Sequence, residues 1–272
     1  MTHSGADIAT LLAEHGLRPS RALGQNFVAD PNTVRRIARL AEVGPGSLVL
    51  EFGAGLGSLS LALAETGARV VAVELDRHLL PVLRSVVEPV GVEVVGGDAM
   101  TLNVAALLAE RGAGPWSLVA NLPYNVATPL VMRTLVEVPA IEHLLVMVQR
   151  EVGERMAAVV GDPAYGSVSV RVAYFARSSL AGKVPSSVFI PRPRVESVLV
   201  RLERRAEPAV PPDEVSYARL SAVVKAGFGQ RRKMLRSSLA GVVDPEAFAR
   251  SGIRPDARAE ELSVEEWGRL AR

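Results

Sequence analysis

Residues 47–57 read Ser47-Leu48-Val49-Leu50-Glu51-Phe52-Gly53-Ala54-Gly55-Leu56-Gly57, a short apolar run that ends in an acid and passes into a glycine-rich turn. The helical pattern of Ser58 to Glu65 follows at once. A buried strand, a turn whose glycines admit close approach of a ligand, and a helix packed back on the strand form the opening unit of a parallel α/β sheet. The spacing departs from the dinucleotide pattern, because Gly57 comes two residues after Gly55 instead of three.

Downstream, the same grammar repeats. A second apolar strand, Arg69 to Val73, ends in Glu74, about 20 residues past the first glycine, the offset at which an acid meets ribose hydroxyls. A third, Val92 to Val95, ends in Gly96-Gly97-Asp98, and a fourth, Ser117 to Ala120, ends in Asn121-Leu122-Pro123-Tyr124. Successive strands therefore present Glu51, Glu74, Asp98 and Asn121 at their C-terminal ends, where an open α/β sheet keeps its ligands. Each acid alone suits a solvated strand end; together they argue for a site. They disfavour a pyrophosphate cofactor, which would set phosphate charge beside Glu51. A cationic cofactor suits them, and S-adenosylmethionine offers a sulfonium, a ribose diol and an adenine amino donor that Glu74 and Asp98 would accept.

Asn121-Leu122-Pro123-Tyr124 combines an amide, a residue without a backbone donor and an aromatic ring, a set that suits a flat, polar-edged group. Adenine is the first candidate. Its amino nitrogen is a poor nucleophile because the lone pair is delocalised, so acceptors at Asn121 and at the carbonyl of Leu122 or Pro123 would do the activating while Tyr124 stacks on the base. The four residues also suit a plain strand-to-helix turn.

With these segments in view, the chain resembles the ribosomal RNA adenine dimethylase family, in its small-subunit branch. The resemblance covers nearly the whole chain and is carried by residues 23–27, 51–59, 74–76, 97–99 and 121–124, by Gln149-Arg150-Glu151 with Arg155, and by residues 189–197 and 226–236. It implies a Rossmann-like methyltransferase sheet of the doubly wound α/β class with a small C-terminal α-helical domain. It implies S-adenosylmethionine as cofactor and, as substrate, two adjacent adenosines near the 3' end of 16S rRNA in an assembling small subunit. Gln25 and Asn26 would border the methionine end of the cofactor, next to Phe27. Gly53 and Gly55, following Glu51, would line its amino-acid portion. Glu74, followed by Leu75, would take the ribose, and Asp98, followed by Ala99, would accept from the cofactor adenine. Asn121 and Tyr124, flanking Leu122 and Pro123, would hold the target base, with Phe189 on its other face. Val28, Ser60 and Gly153 stand where the family usually has Leu, Thr and Ala.

Composition fits this reading. The 272 residues, 49% of them hydrophobic, suffice for a full α/β core and a small second domain. The absence of cysteine excludes disulfides, thiolate zinc sites and cysteine nucleophiles and suits a reducing cytoplasm. The four histidines, His3, His15, His78 and His143, show no ligand spacing, so no metal is expected. No run approaches a membrane span, and the N-terminus carries no signal or transit pattern, so a soluble cytoplasmic protein is expected; a monomer is the separate expectation for its assembly.

Net charge is only +2, but basic residues are concentrated. Residues 177–205 hold Arg177, Lys183, Arg192, Arg194, Arg201, Arg204 and Arg205 against Glu196 and Glu203, and residues 225–236 hold Lys225, Arg231, Arg232, Lys233 and Arg236 with no acid. Arg192, Arg194, Arg231, Arg232, Lys233 and Arg236 are the candidates for RNA phosphate, with a solvated helix face as the alternative for 231–236.

Punctuation divides the chain into an arm over 1–30, a catalytic domain over 31–206 opened by a helix from Asp30-Pro31 to about Leu40, a Pro-rich semi-rigid linker over 207–212, and a helical domain over 213–272 broken at Gly227, Gly241 and Gly252. Residues 167–174 alternate like a strand, whereas the resemblance places a helix there. A small-molecule methyltransferase would share the glycine turn and Glu74 but would not need the Arg-rich C-terminal domain. An RNA-binding factor with a vestigial site would not need Asn121, Tyr124, Glu74 and Asp98 intact.

Overall fold

The computed structural model describes residues 2–272. In chain order the strands are β1 (Phe27–Val28), β2 (Leu48–Phe52), β3 (Arg69–Glu74), β4 (Glu93–Gly96), β5 (Trp116–Asn121), β6 (Ile141–Gln149), β7 (Ala176–Val184), β8 (Phe189–Ile190) and β9 (Ser197–Arg204). The first eight helices are α1 (Gly5–Glu14), α2 (Pro31–Leu40), α3 (Ser58–Ala64), α4 (Leu80–Val87), α5 (Val104–Ala109), α6 (Ala127–Glu137), α7 (Arg150–Ala157) and α8 (Ser167–Phe175). They are followed by α9 (Tyr217–Gly229), α10 (Leu235–Ser238), α11 (Pro245–Ser251) and α12 (Val264–Ala271).

Seven strands form one sheet in the order β4-β3-β2-β5-β6-β9-β7. The pairs among β4, β3, β2, β5 and β6 are parallel, and β9 runs antiparallel to β6. Strands buried on both faces read as unbroken apolar runs, which is why β2, β3 and β5 stand out in the sequence. The strand order switches at β2 and β5, with β3 and β4 added on one side and β5 and β6 on the other, and the crevice at such a switch point is where α/β sheets bind ligands. The helix expected from Asp30-Pro31 is α2, whose N-cap Asp30 accepts from the Thr33 backbone N–H at 2.9 Å.

The chain splits into two compact units. One contains the residues up to Gly153 together with Leu180–Glu203; the other contains Glu154–Ser179 and Arg204–Arg272. The expected 31–206 segment is therefore not a single compact unit. Residues 154–179 group with the C-terminal helices because Tyr165, Val170 and Tyr174 belong to the same core as Leu220, Val224 and Trp267, and the Tyr165 hydroxyl donates to the Leu262 carbonyl at 2.7 Å. The Pro-rich stretch 207–212 belongs to that core as well, with Val210 buried and the Ala209 N–H donating to the Tyr174 carbonyl at 2.9 Å.

Local expectations are corrected at two places, the alternating residues 167–174 and Gly227. Residues 167–175 form helix α8; its alternating Val170, Val172 and Tyr174 are all buried, as is Ser169, because the helix is covered on more than one side and needs no polar face at helical spacing. Gly227 does not break α9: it lies inside the helix, where a side chain would run into the Trp267 ring. The arm is structured: α1 opens with a capping box between Ser4 and Asp7, and its Ile8 joins Phe27, Leu56, Leu79 and Val82 in a cluster over the glycine-rich turn.

Candidate functional site

A cavity opens at the C-terminal ends of β2, β3 and β5 and in the turn after β4. Its walls include Gly53, Gly55, Glu74, Leu75, Asp98 and Ala99 from the sheet side, Asn121 to Tyr124 from the end of β5, and Gln25, Asn26 and Phe27 from the arm. These residues, scattered through the sequence, are brought to one place.

The glycine-rich turn is held from below by two acids. Glu51, 1% exposed, receives a hydrogen bond from Ser60 Oγ at 2.5 Å. Burial pushes its carboxyl up to about 8, against the Ser60 hydrogen bond and aided by the charge of Glu74, so it is neutral at pH 7. Glu74 accepts from the Gly55 N–H through Oε2 and from the Asp76 N–H through Oε1, each at 2.8 Å. Its carboxyl is raised too, chiefly by burial, with those two N–H bonds opposing. A carboxylate has roughly four acceptor positions, so two bonds leave capacity for a hydroxyl pair. Gly55 adopts φ +60°, and a Cβ there would lie 2.9 Å from the Phe27 ring, so turn and arm meet with no room for a side chain.

Gln25 and Asn26 bridge the cavity. Gln25 Nε2 donates to Asp76 Oδ2 at 2.8 Å, just past Glu74, while the Asn26 carbonyl accepts from Asn121 Nδ2 at 3.0 Å. Gln25 is thereby fixed on the Glu74 side. Asp98 Oδ1 caps the Met100 N–H at 2.8 Å. Anchoring Asn121 through its nitrogen directs its Oδ1 as the acceptor; the Pro123 carbonyl accepts from the Val126 N–H at 3.1 Å and keeps a second lone pair, so it and the Leu122 carbonyl both remain acceptors. The Tyr124 hydroxyl is tied to Ser197 Oγ at 2.8 Å, and burial raises its pKa, so it stays protonated.

Phe189 is not brought to the cavity. It is 3% exposed, pairs with Val28 in the two-stranded β1–β8 ribbon, and packs in the core of the first unit. Among the basic candidates, Arg192 and Arg194 are exposed, the former steadied by Nε donating to Ser186 Oγ at 3.1 Å. Arg231, Arg232 and Lys233 lie in the turn between α9 and α10, not on a helix face, and Arg236 is exposed in α10. Arg231 is engaged locally, with Glu260 at 3.1 Å and the Pro163 carbonyl at 3.2 Å. Among the described residues no group of acids and histidines is placed to hold a metal, and no helix is long and apolar enough to cross a membrane.

Two residues support the site without having been expected there: Ser60, noted only as standing where the family usually has Thr, and Ser197, the last residue of a matching motif. Nothing local marks either serine, since the partner of each is supplied by the fold.

The lining of the cavity decides what it can hold. It contains Glu51, Glu74 and Asp98 and neither Arg nor Lys, which fits a ligand with cationic and hydroxyl groups and does not fit a pyrophosphate.

Comparison with known proteins agrees. The family model for ribosomal RNA adenine dimethylase matches residues 17–272. The ribosomal RNA small subunit methyltransferase A of Streptomyces griseus is 47% identical over 272 residues, covering 98% of this chain and 93% of its own. That of Thermobifida fusca is 45% identical over 277 residues, with 98% and 94% covered. Among solved structures, the 23S rRNA methyltransferase ErmE superposes with a TM-score of 0.70 at 28% identity, over 90% of this chain and 98% of its own. A dimethyladenosine transferase from Plasmodium falciparum shares the fold with a TM-score of 0.71 at 21% identity, over 89% and 94%.

Proposed function

The chain belongs to the ribosomal RNA adenine dimethylase family, and from that premise we propose that it dimethylates two adjacent adenosines near the 3' end of 16S rRNA, as a monomer acting on a cytoplasmic assembling subunit. It is an S-adenosylmethionine-dependent enzyme of rRNA adenine methylation. The observation that carries the reading is the cavity lined by Glu74, Asp98 and the protonated Glu51 with no Arg or Lys, bounded at one end by Asn121 and Tyr124.

When bound, the cofactor supplies an electrophilic methyl group. The chain's own residues do the rest. Glu74 and Asp98 would hold the ribose and adenine of the cofactor, and Leu75, half exposed beside them, offers an apolar face. Asn121 Oδ1 and the carbonyl of Leu122 or Pro123 would accept from the amino group of the target adenine, drawing its lone pair out of the ring. Tyr124, fixed by Ser197, supplies the stacking face. The target base must leave its stack to reach this depth. For the second methylation only one amino hydrogen remains, so one of the two acceptors becomes dispensable.

The test is methyl transfer from radiolabelled S-adenosylmethionine to undermodified small subunits, followed by nucleoside digestion. Dimethyladenosine in small-subunit rRNA is expected. Label confined to large-subunit rRNA, the target named for ErmE, or no label at all would overturn the reading.

A further inference from the structure

A second hollow opens beyond Tyr124, and its polarity is the reverse of the first. Arg21, Arg192 and Arg194 stand in its wall and no carboxylate does, whereas the cofactor cavity has carboxylates and no cation. Both hollows are lined by Tyr124. A ligand that spans them must therefore be neutral or cationic at its inner end and anionic at its outer end. A nucleotide within a strand has that polarity, with a base inside and phosphodiesters outside.

The arginines are available for such a ligand. All three are exposed; Arg192 spends only its Nε on Ser186, and neither Arg21 nor Arg194 meets a carboxylate among the described residues. Gln149, at the end of β6, lines the same hollow and sits opposite Ser197, the residue that fixes Tyr124. Its side-chain amide, a donor and an acceptor together, is unspent among the described residues. That is the chemistry that reads the edge of a nucleobase.

We propose that this hollow seats the nucleotide adjoining the target adenosine, its phosphates on Arg21, Arg192 and Arg194 and its base edge on Gln149. The proposal rests on the rRNA methyltransferase reading and specifies how a strand lies across the site. Tyr124 then separates the two bases, one facing the methyl donor and the other held outside.

The test uses a labelled RNA hairpin with two adjacent adenosines in its loop, and the same hairpin with one of them made abasic, titrated by anisotropy at several salt concentrations. Arg21→Glu and Arg194→Glu should each weaken binding of the intact hairpin about tenfold at low salt and lower the log-log salt slope by about 0.7. The abasic change should weaken binding to the wild type about tenfold and make no further difference in Gln149→Ala. Calorimetry should give all variants the wild-type affinity for S-adenosylmethionine, which shows that they are folded. Charge reversals that leave affinity and slope unchanged, or an abasic penalty that persists in Gln149→Ala, would overturn the assignment. Wild-type methylation of undermodified small subunits is measured alongside: its failure would sink the rRNA reading, whereas its success beside unresponsive variants would sink only the assignment of this hollow.

Discussion

Glu51 lies beneath the cofactor turn with Ser60 as its hydrogen-bond donor, and its carboxyl, pushed up to about 8, keeps its proton in the folded protein. In the unfolded chain the same group titrates near 4.3. The folded state therefore binds the extra proton between those values, and stability falls as pH rises through that window, by about 1.4 kcal/mol per pH unit, and levels off above the folded value. Glu51→Gln keeps an acceptor for Ser60 and cannot ionise. Chemical denaturation at pH 5 and pH 7.5 should show a loss of stability in the wild type that shrinks by several kcal/mol in Glu51→Gln, and equal pH dependence in the two proteins would show that Glu51 is not held neutral. At Tyr124 the ring and the hydroxyl have separate tasks, stacking and attachment to Ser197. Tyr124→Ala should lose methyl transfer while still binding cofactor, since stacking is worth roughly 1–3 kcal/mol. Tyr124→Phe gives up one hydrogen bond of about 1 kcal/mol and should retain more activity, at a level shared by Ser197→Ala and not lowered further in the double variant. Single-turnover methylation decides this, and near-normal rates in Tyr124→Ala and Asn121→Ala would leave residues 121–124 as only a turn.

Among the elements, the glycine-rich turn and the arm are built against each other. Gly55 at φ +60° faces the Phe27 ring, and a Cβ there would come within 2.9 Å of it. Gly55→Ala should thus suffer both the left-handed backbone penalty of roughly 1–2 kcal/mol and the collision with Phe27. It should lower the melting temperature and weaken cofactor binding by at least tenfold, and adding Phe27→Leu should restore part of the loss, since the backbone penalty stays. No recovery in the double variant would show that the ring is not the obstacle. The same region shows what was legible in the sequence. β2, β3 and β5 and the residues at their ends could be read because a strand buried on both faces writes a continuous apolar run, and the fold then aligns whatever follows each run. Contacts that depend on tertiary register could not be read: Ser60 under Glu51, Ser197 under Tyr124, and the Asn26 carbonyl that orients Asn121. Phe189 was legible only as an aromatic residue in a matching motif, and its place in the first unit's core depends on tertiary packing in the same way. Residues 167–175 misled for another reason, because a helix buried on several sides carries no periodic signature.

For the molecule as a whole, a net charge of +2 provides little general attraction to RNA, so binding must come from where the charges stand. In the second unit, the turn between α9 and α10 carries Arg231, Arg232 and Lys233, and the structure divides them. Arg231 is committed to Glu260 and the Pro163 carbonyl, whereas Arg232 and Lys233 are exposed with no acid paired to them among the described residues. Arg232→Glu and Lys233→Glu should each weaken binding to undermodified small subunits and lower the log-log salt slope by a little under one unit, without changing the melting temperature. Arg231→Glu should weaken binding too, but it sets a second carboxylate beside Glu260 and should also cost a modest amount of stability, within the 0–1 kcal/mol range of an exposed pair. Cofactor affinity should stay at the wild-type value in all three, because the cavity that would hold it lies in the other unit. Filter binding across a salt series, with thermal melts of each variant, separates the two classes. A salt slope unaltered in Arg232→Glu and Lys233→Glu would reduce the basic turn to a solvated surface and leave the arginines around Tyr124 as the RNA contacts of this chain.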